Sequence, residues 1–226
     1  MKKTFVISLG GSLVIPNEID IKFLRGFKSV ILKQVRRGNK FILIVGGGKV
    51  CRKYQTALAK ISKVDAQALD WMGINSTWLN AKLVQLIFEK YAYSEIAKDP
   101  QKKIVFKEPI LVGGGWKPGR SSDGAMVKYA TAYKTSTIIN LSNIAYVYDK
   151  DPRKFKDAKK QEKLSWNELL KITGRKWVPG KNVPFDPIAT KFAQKNKLKV
   201  IVANGKDLKN LENLLNGQKF KGSTVG

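Results

Sequence analysis

Three short apolar runs in this chain each lead directly into a cluster of glycines. Residues 4–9 meet Gly10-Gly11-Ser12, residues 40–45 meet Gly46-Gly47-Gly48, and residues 110–112 meet Gly113-Gly114-Gly115. Apolar runs of this length, without polar alternation, suit strands buried on both faces of a parallel sheet. Glycine lets backbone N–H groups approach an anion with no Cβ in the way. A helix that starts just beyond adds the positive end of its dipole. In an open α/β sheet, ligands bind past the carboxyl ends of the strands. One such turn means little, because glycines often serve only as turns. Three at equivalent strand ends point to a crevice for an anionic ligand.

Between these runs apolar residues recur at helical spacing. The pattern predicts helices over 20–37, 49–61, 66–91, 123–135, 165–172, 187–196 and 207–215. Ser165 followed by Glu168 has the capping-box spacing. Further strands are predicted over 136–141 and 198–202, with a last edge strand at 222–225. Residues 98–108 read as a polar connection, and 143–157 as a strand with a charged hairpin or loop. Residues 173–184 read as a loop, with Gly174, Pro179, Gly180 and Pro184. Strand-then-helix alternation predicts an α/β fold with a mostly parallel central sheet and helices on both faces, a three-layer α/β/α sandwich. A chain of 226 residues can bury a full core as one such domain.

Several chemistries are excluded at once. The chain has no histidine, so neither a histidine metal site nor a histidine general base is available. There is no G-x-x-x-x-G-K-[ST] and no G-x-G-x-x-G, so neither a P-loop nor a dinucleotide-binding unit is expected. No apolar run approaches the ~20 residues that span a bilayer. The apolar start is interrupted almost at once by Gly10-Gly11-Ser12, so it reads as a strand and not a signal peptide. A lone cysteine, Cys51, forms no internal disulfide and suits a reducing cytoplasm.

The 43 Lys+Arg against 17 Asp+Glu give a net charge of +26. Such a field attracts phosphates of every kind, nucleic acid included. The lysines spread along the whole chain, which favours a general compositional bias over a dedicated nucleic-acid surface. Lys49 and Arg52 stand in the first turn of the helix after Gly48, where they can neutralise phosphate oxygens or remain solvated charges. Acidic residues are scarce, so each is informative. Asp123 follows Arg120-Ser121-Ser122 at a helix start, and Asp186 precedes Pro187 at another, where either can be a plain N-terminal cap. Asp70 lies in the apolar stretch Leu69-Asp70-Trp71-Met72-Gly73 and needs a partner if buried. A ribose diol is one suitable partner.

In their order along the chain these segments resemble the amino-acid-kinase superfamily and, within it, the UMP kinases of archaeal type. The motifs are Ser8-Leu9-Gly10-Gly11-Ser12, Val45-Gly46-Gly47-Gly48-Lys49-Val50-Cys51-Arg52 and Asp70-Trp71-Met72-Gly73-Ile74 with Asn80-Ala81. They continue with Gly113-Gly114-Gly115-Trp116-Lys117-Pro118-Gly119-Arg120-Ser121-Ser122-Asp123, Asp151-Pro152, Asp186-Pro187-Ile188-Ala189-Thr190-Lys191 and Gly222-Ser223-Thr224. Each is short, but the ordered set is specific and runs over nearly the whole chain.

The resemblance implies the amino-acid-kinase fold over residues 1–226, with an acceptor-binding lobe over about 1–135 and an ATP-binding lobe over about 136–226. It implies phosphorylation of UMP to UDP with ATP and Mg²⁺. Ser8, Leu9, Gly10, Gly11, Ser12, Gly48 and Arg52 would hold the ATP phosphates, and Ser142, Tyr148 and Asp151 the adenosine side. Gly47 would contact UMP, Asp70 its ribose, and Trp116, Lys117, Pro118, Gly119, Arg120, Ser121 and Ser122 its base and phosphate. Asp123 would organise the catalytic cations, Lys191 would neutralise the transferring phosphoryl group, and Asp186 would support that centre. No dedicated metal ligand is implied. UMP kinases of this family form hexamers built from dimers, and the helix carrying Trp71 and Trp78 can supply an interface or pack in the monomer core.

The chain departs from the family pattern at two places. Ser8 stands where many superfamily members have a lysine. Ile144-Ala145-Tyr146-Val147-Tyr148 stands where Val-Asp-Gly-Val-Tyr is usual, on the presumed ATP side. These changes keep a second reading open, a catalytically weak nucleotide- or RNA-binding regulator of the same fold. A kinase for another small phosphate is opposed by the missing histidine.

Overall fold

The computed structural model describes residues 2–152, 154–176 and 183–226. In chain order the elements are β1 (Thr4–Leu9), α1 (Gly11–Val14), α2 (Ile21–Arg36), β2 (Lys40–Val45), α3 (Gly48–Ile61) and α4 (Ala66–Phe88). Next come β3 (Ile110–Gly113), α5 (Ser122–Ala132), β4 (Thr137–Ser142), β5 (Val147–Tyr148), β6 (Lys160–Gln161) and β7 (Lys163–Leu164). The last are α6 (Trp166–Thr173), α7 (Pro187–Lys195), β8 (Lys199–Asn204), α8 (Leu208–Leu215) and β9 (Ser223–Val225).

The glycine-tipped runs lie side by side. The main sheet has the order β3-β2-β1-β4-β8-β9-β7. From β3 to β8 every neighbouring pair is parallel. β9 turns back antiparallel to β8, and β7 runs with β9. Side chains of the parallel strands alternate between two apolar faces, which is why both faces need helices. Ile7, Leu9, Leu43 and Val45 face α2, α4 and α8 through Phe27, Ile31, Val84, Phe88 and Leu211. Val6, Ile42, Ile44 and Leu111 face α5, α6 and α7 through Ala125, Tyr129, Leu169 and Ala189. The result is the three-layer arrangement expected from the sequence.

Register brings the strand ends into line. Leu9 sits opposite Val45 and Leu141, and Ile44 opposite Gly113, so three glycine turns leave the sheet along one edge. α3 has no fully buried residue and lies outside, against α4.

Four details differ from expectation. The helix over 66–91 stops at Phe88, and Glu89 turns the chain at φ 41° into a short 3₁₀ segment, Glu89–Tyr91. Strands β6 and β7 arise in a polar stretch. The terminal strand β9 lies inside the sheet, with β7 outside it. Ser223 anchors it there, because its hydroxyl accepts from Val147 N at 2.8 Å and donates to Gln161 O. The helix expected from Asp123 is capped by Ser121, whose hydroxyl accepts from Gly124 N at 3.2 Å. The capping box of Ser165 and Glu168 forms as expected. In the loop expected over 173–184, residues 177–182, with Pro179 and Gly180, lie outside the described residues.

Candidate functional site

The first two glycine turns interlock backbone against backbone. Gly10 N donates to Leu141 O at 3.0 Å, and Gly46 N donates to Leu9 O at 3.0 Å. A Cβ on Gly11 would stand 2.1 Å from Gly48 N. One on Gly48, at φ +64°, would stand 2.5 Å from Gly11 O. No side chain fits either position, so these two glycines are fixed by contact as well as conformation. α3 begins at Gly48 and α5 at Ser122, and each leaves its first N–H groups free of helical partners.

α4 holds the turns from beneath. Thr77 Oγ1 accepts from Gly115 N at 2.6 Å, and Trp78 Nε1 donates to Gly115 O at 2.8 Å. Asn80 Nδ2 donates to Gly46 O at 2.9 Å and to Gly47 O at 3.1 Å. Asn80 Oδ1 is buried with no partner. An unpaired buried acceptor costs about 1–3 kcal/mol, so the two amide bonds carry that burden. Asp70, one helical stretch earlier, accepts from Gly119 N at 2.7 Å through Oδ2. The carboxylate for which the sequence suggested a ribose partner thus also holds the 116–122 loop. Thr77 and Trp78 were not singled out as site residues from the sequence. The available signal was a polar set, Ser76, Thr77 and Asn80, buried on a helix that also buries Ile74, Ala81, Val84 and Phe88.

The 116–122 loop borders a cavity of about 260 Å³ with α5 and α7. Trp116, Gly119, Arg120, Ser121 and Lys128 line it, facing Ile188, Ala189 and Phe192. Lys117 Nζ and Lys128 Nζ lie 4.4 Å and 5.1 Å from the Trp116 ring centre, and Lys128 is equally close to Phe192. Lys128, Ile188 and Phe192 join residues proposed from the sequence, while Lys117, Pro118 and Ser122 stay outside the lining.

Asp186 also lines this cavity, and its backbone meets a second acid, Asp123. Asp186 is buried and caps α7, its Oδ1 accepting from Ile188 N at 2.6 Å and Ala189 N at 2.8 Å. Its own N–H donates to Asp123 Oδ2 at 2.9 Å. Asp123 therefore ties α5 to α7 instead of capping its own helix. Burial pushes the Asp123 carboxyl up to about 7. The Asp186 N–H opposes this, and the nearby Asp186 carboxylate reinforces it. Lys191 is exposed on α7, just beyond this pair.

The other proposed residues divide by exposure. Ser8 and Leu9 are buried within β1, so Leu9 offers the turn only backbone, while Gly10 and Ser12 are partly open. Arg52 is exposed on α3, and Lys49 donates to Asn17 Oδ1 on the loop after α1. Ser142 ends β4 and accepts from Ile144 N at 3.2 Å. Tyr148 and Asp151 are half-buried in and just after β5, and Tyr146 lies beside them under Lys160 Nζ, 5.0 Å from its ring centre. Among the described residues, no group of three or more His, Cys, Asp or Glu could hold a metal ion. No described helix is long and apolar enough to cross a membrane.

Comparison with known proteins places this arrangement. The family model described as the amino acid kinase family matches residues 3–204. The uridylate kinase of Thermoplasma volcanium is 32% identical over 220 residues, covering 96% of this chain and 95% of the relative. That of Sulfolobus acidocaldarius is 33% identical over 205 residues, 88% of each. The crystal structure of uridylate kinase from Archaeoglobus fulgidus superposes with a TM-score of 0.84 at 30% identity, covering 100% of both chains.

Proposed function

This chain belongs to the amino acid kinase family, and from that premise we propose that it is a UMP kinase, ATP + UMP giving ADP + UDP. The observation that carries the reading is the alignment of three glycine turns on one sheet edge, with α3 and α5 starting behind two of them. Such an edge offers free N–H groups and helix dipoles to a row of phosphates. A UMP phosphate oxygen attacks the γ-phosphorus in line, the bond to the β–γ bridging oxygen breaks, and ADP leaves with that electron pair. The nucleophile is already ionised at neutral pH, so no general base is required, in keeping with a chain that has no histidine. Catalysis then rests on alignment and on charge set against the oxygens.

In this reading Ser8, Leu9, Gly10, Gly11, Ser12, Gly48 and Arg52 serve the ATP phosphates. Ser142, Tyr148 and Asp151 serve the adenosine, on the 136–226 side. Gly47, Asp70 and the 116–122 loop serve UMP, on the 1–135 side. The Asp123–Asp186 contact orders the centre between them, and Lys191 reaches the transferring group from α7. A magnesium ion would come with ATP and be held mainly by phosphate and water oxygens. Bound there, the ion would offset triphosphate charge.

The substrates and the lone Cys51 suit the cytoplasm. α4 leaves Trp71, Leu79 and Leu86 exposed at 39%, 64% and 58%, and α3 adds Tyr54 and Ile61. That stripe suits a second copy of the chain, the first step to a hexamer of dimers. Incubating the protein with UMP, ATP and Mg²⁺ and following ³¹P resonances tests the function. UDP and ADP should appear in equal amounts, and ADP without UDP would exclude the assignment.

A further inference from the structure

Asn80 is 1% exposed, yet its amide reaches two consecutive carbonyls of the second glycine turn, Gly46 O at 2.9 Å and Gly47 O at 3.1 Å. In a trans peptide the C=O and the next N–H point in opposite directions. No cis bond is present among the described residues. Drawing both carbonyls toward α4 therefore turns the Gly47 and Gly48 N–H groups away from it. Neither N–H has a hydrogen-bond partner among the described residues. The interlock with Gly11 leaves the turn little other freedom. Three residues earlier on the same helix, Thr77 fixes the third turn through Gly115 N.

We propose that Asn80 is a positioning residue whose amide sets the Gly46, Gly47 and Gly48 peptide planes, so that the Gly47 and Gly48 N–H groups stand preset for phosphate oxygens. Thr77 is its counterpart for the acceptor loop. α4 thus carries two adjacent clamps, one for each turn, and fixes the spacing between them. This inference rests on the reading of the crevice as the phosphoryl-transfer site. Groups aimed in advance at developing charge act chiefly on turnover. Groups that only shape a binding loop act chiefly on KM.

Asn80→Ala and Thr77→Val, assayed with UMP and ATP, separate the two clamps. Because Gly47 also serves UMP in this reading, Asn80→Ala should lower kcat roughly a hundredfold and raise the KM for UMP by a much smaller factor, about threefold. Thr77→Val should raise the KM for UMP about tenfold, with kcat nearly kept. A general loosening of α4 would move the same parameter in both variants, and that result would overturn the proposal. Should Asn80→Ala not fold, Asn80→Ser, whose shorter hydroxyl cannot span both carbonyls, should lower kcat about tenfold or more; parental kcat in that variant would overturn the proposal.

A second readout does not need the acceptor. In the parent, tripolyphosphate should shift the Gly47 and Gly48 amide resonances, and its affinity should fall about tenfold or more in the Asn80 variant that folds. Shifts that occur without UDP formation would sink the UMP assignment and leave Asn80 in its role. UDP formation without shifts, or shifts indifferent to Asn80, would sink the Asn80 inference alone.

Discussion

The two walls of the crevice are built differently. On the side proposed for the acceptor one helix, α4, reaches the turns and the 116–122 loop with four side chains, Asp70, Thr77, Trp78 and Asn80, in bonds of 2.6 to 3.1 Å. On the side proposed for the donor the wall past β4 is a ribbon of two two-residue strands, β5 and β6, joined by a charged loop. Its firm anchor is the buried Ser223 hydroxyl, which ties Val147 and Gln161 to β9. The acceptor wall is thus preorganised by helix side chains. Apart from Ser223, the wall proposed for the donor is held by bonds near solvent, such as that from Lys159 N to Asp149 Oδ1 at 2.8 Å, and it is there that Ala145 and Tyr146 depart from the family pattern. In the proposed reading such a site would fix the smaller acceptor closely and leave room for the donor wall to adjust.

Substitutions can break or sharpen that contrast. The largest effect belongs to the contact between the walls. Asp123→Asn should lower kcat about a hundredfold to a thousandfold. In the parent, kcat/KM should rise with pH through about 7 as Asp123 ionises, beyond the rise due to the UMP phosphate, and the variant should lose that extra component. The stability effect has the opposite sign. A carboxyl raised to about 7 binds its proton more tightly folded than unfolded, so it disfavours folding as pH climbs from about 4 to 7. Relative to the parent, the Tm of Asp123→Asn should therefore increase between pH 4 and 8. A constant difference in Tm would refute the raised carboxyl.

Asp70→Ala comes next. Losing a charged partner of the loop and of the ribose should raise the KM for UMP about tenfold to a hundredfold, with the KM for ATP held. Equal changes in both constants would erase the distinction between the walls. Ser223→Ala should act on the other wall. It strands Val147 N, lowers stability by about 1–3 kcal/mol and raises the KM for ATP a few-fold while sparing UMP. Thermal melts and separate titrations of the two substrates check both parts. The smallest effect lies away from both walls. Tyr129 buries a hydroxyl without a partner, so Tyr129→Phe should leave stability unchanged or raise it by up to about 1 kcal/mol.

The strands that carry the glycine turns were legible because burial on both faces leaves no room for polar alternation. Residues 40–45 and 110–112 announce themselves in that way. β6 and β7 carry no such signal. Lys160, Gln161 and Lys163 are paired because partner backbones lie beside them, and exposed lysines report nothing of that. β9 was legible as a strand but not in its place, since three residues do not tell an edge from an interior position. At the site the glycines and Asp70 stood out by type. The link from Asp123 to Asp186 did not, because both read equally well as caps, and only the fold shows that Ser121 caps α5. Thr77 was hidden, and Asn80 stood out only as part of a motif and without a role, for a related reason. A buried polar side chain is informative only once its partner, here the backbone of a distant turn, is known.

The central claim is that the better-built wall selects UMP. It is tested most directly by measuring kcat/KM for UMP, CMP, dUMP and GMP in a coupled ADP-release assay at saturating ATP. The account predicts that UMP leads, with dUMP reduced because Asp70 loses a ribose hydroxyl partner. Equal values for all four acceptors would contradict it.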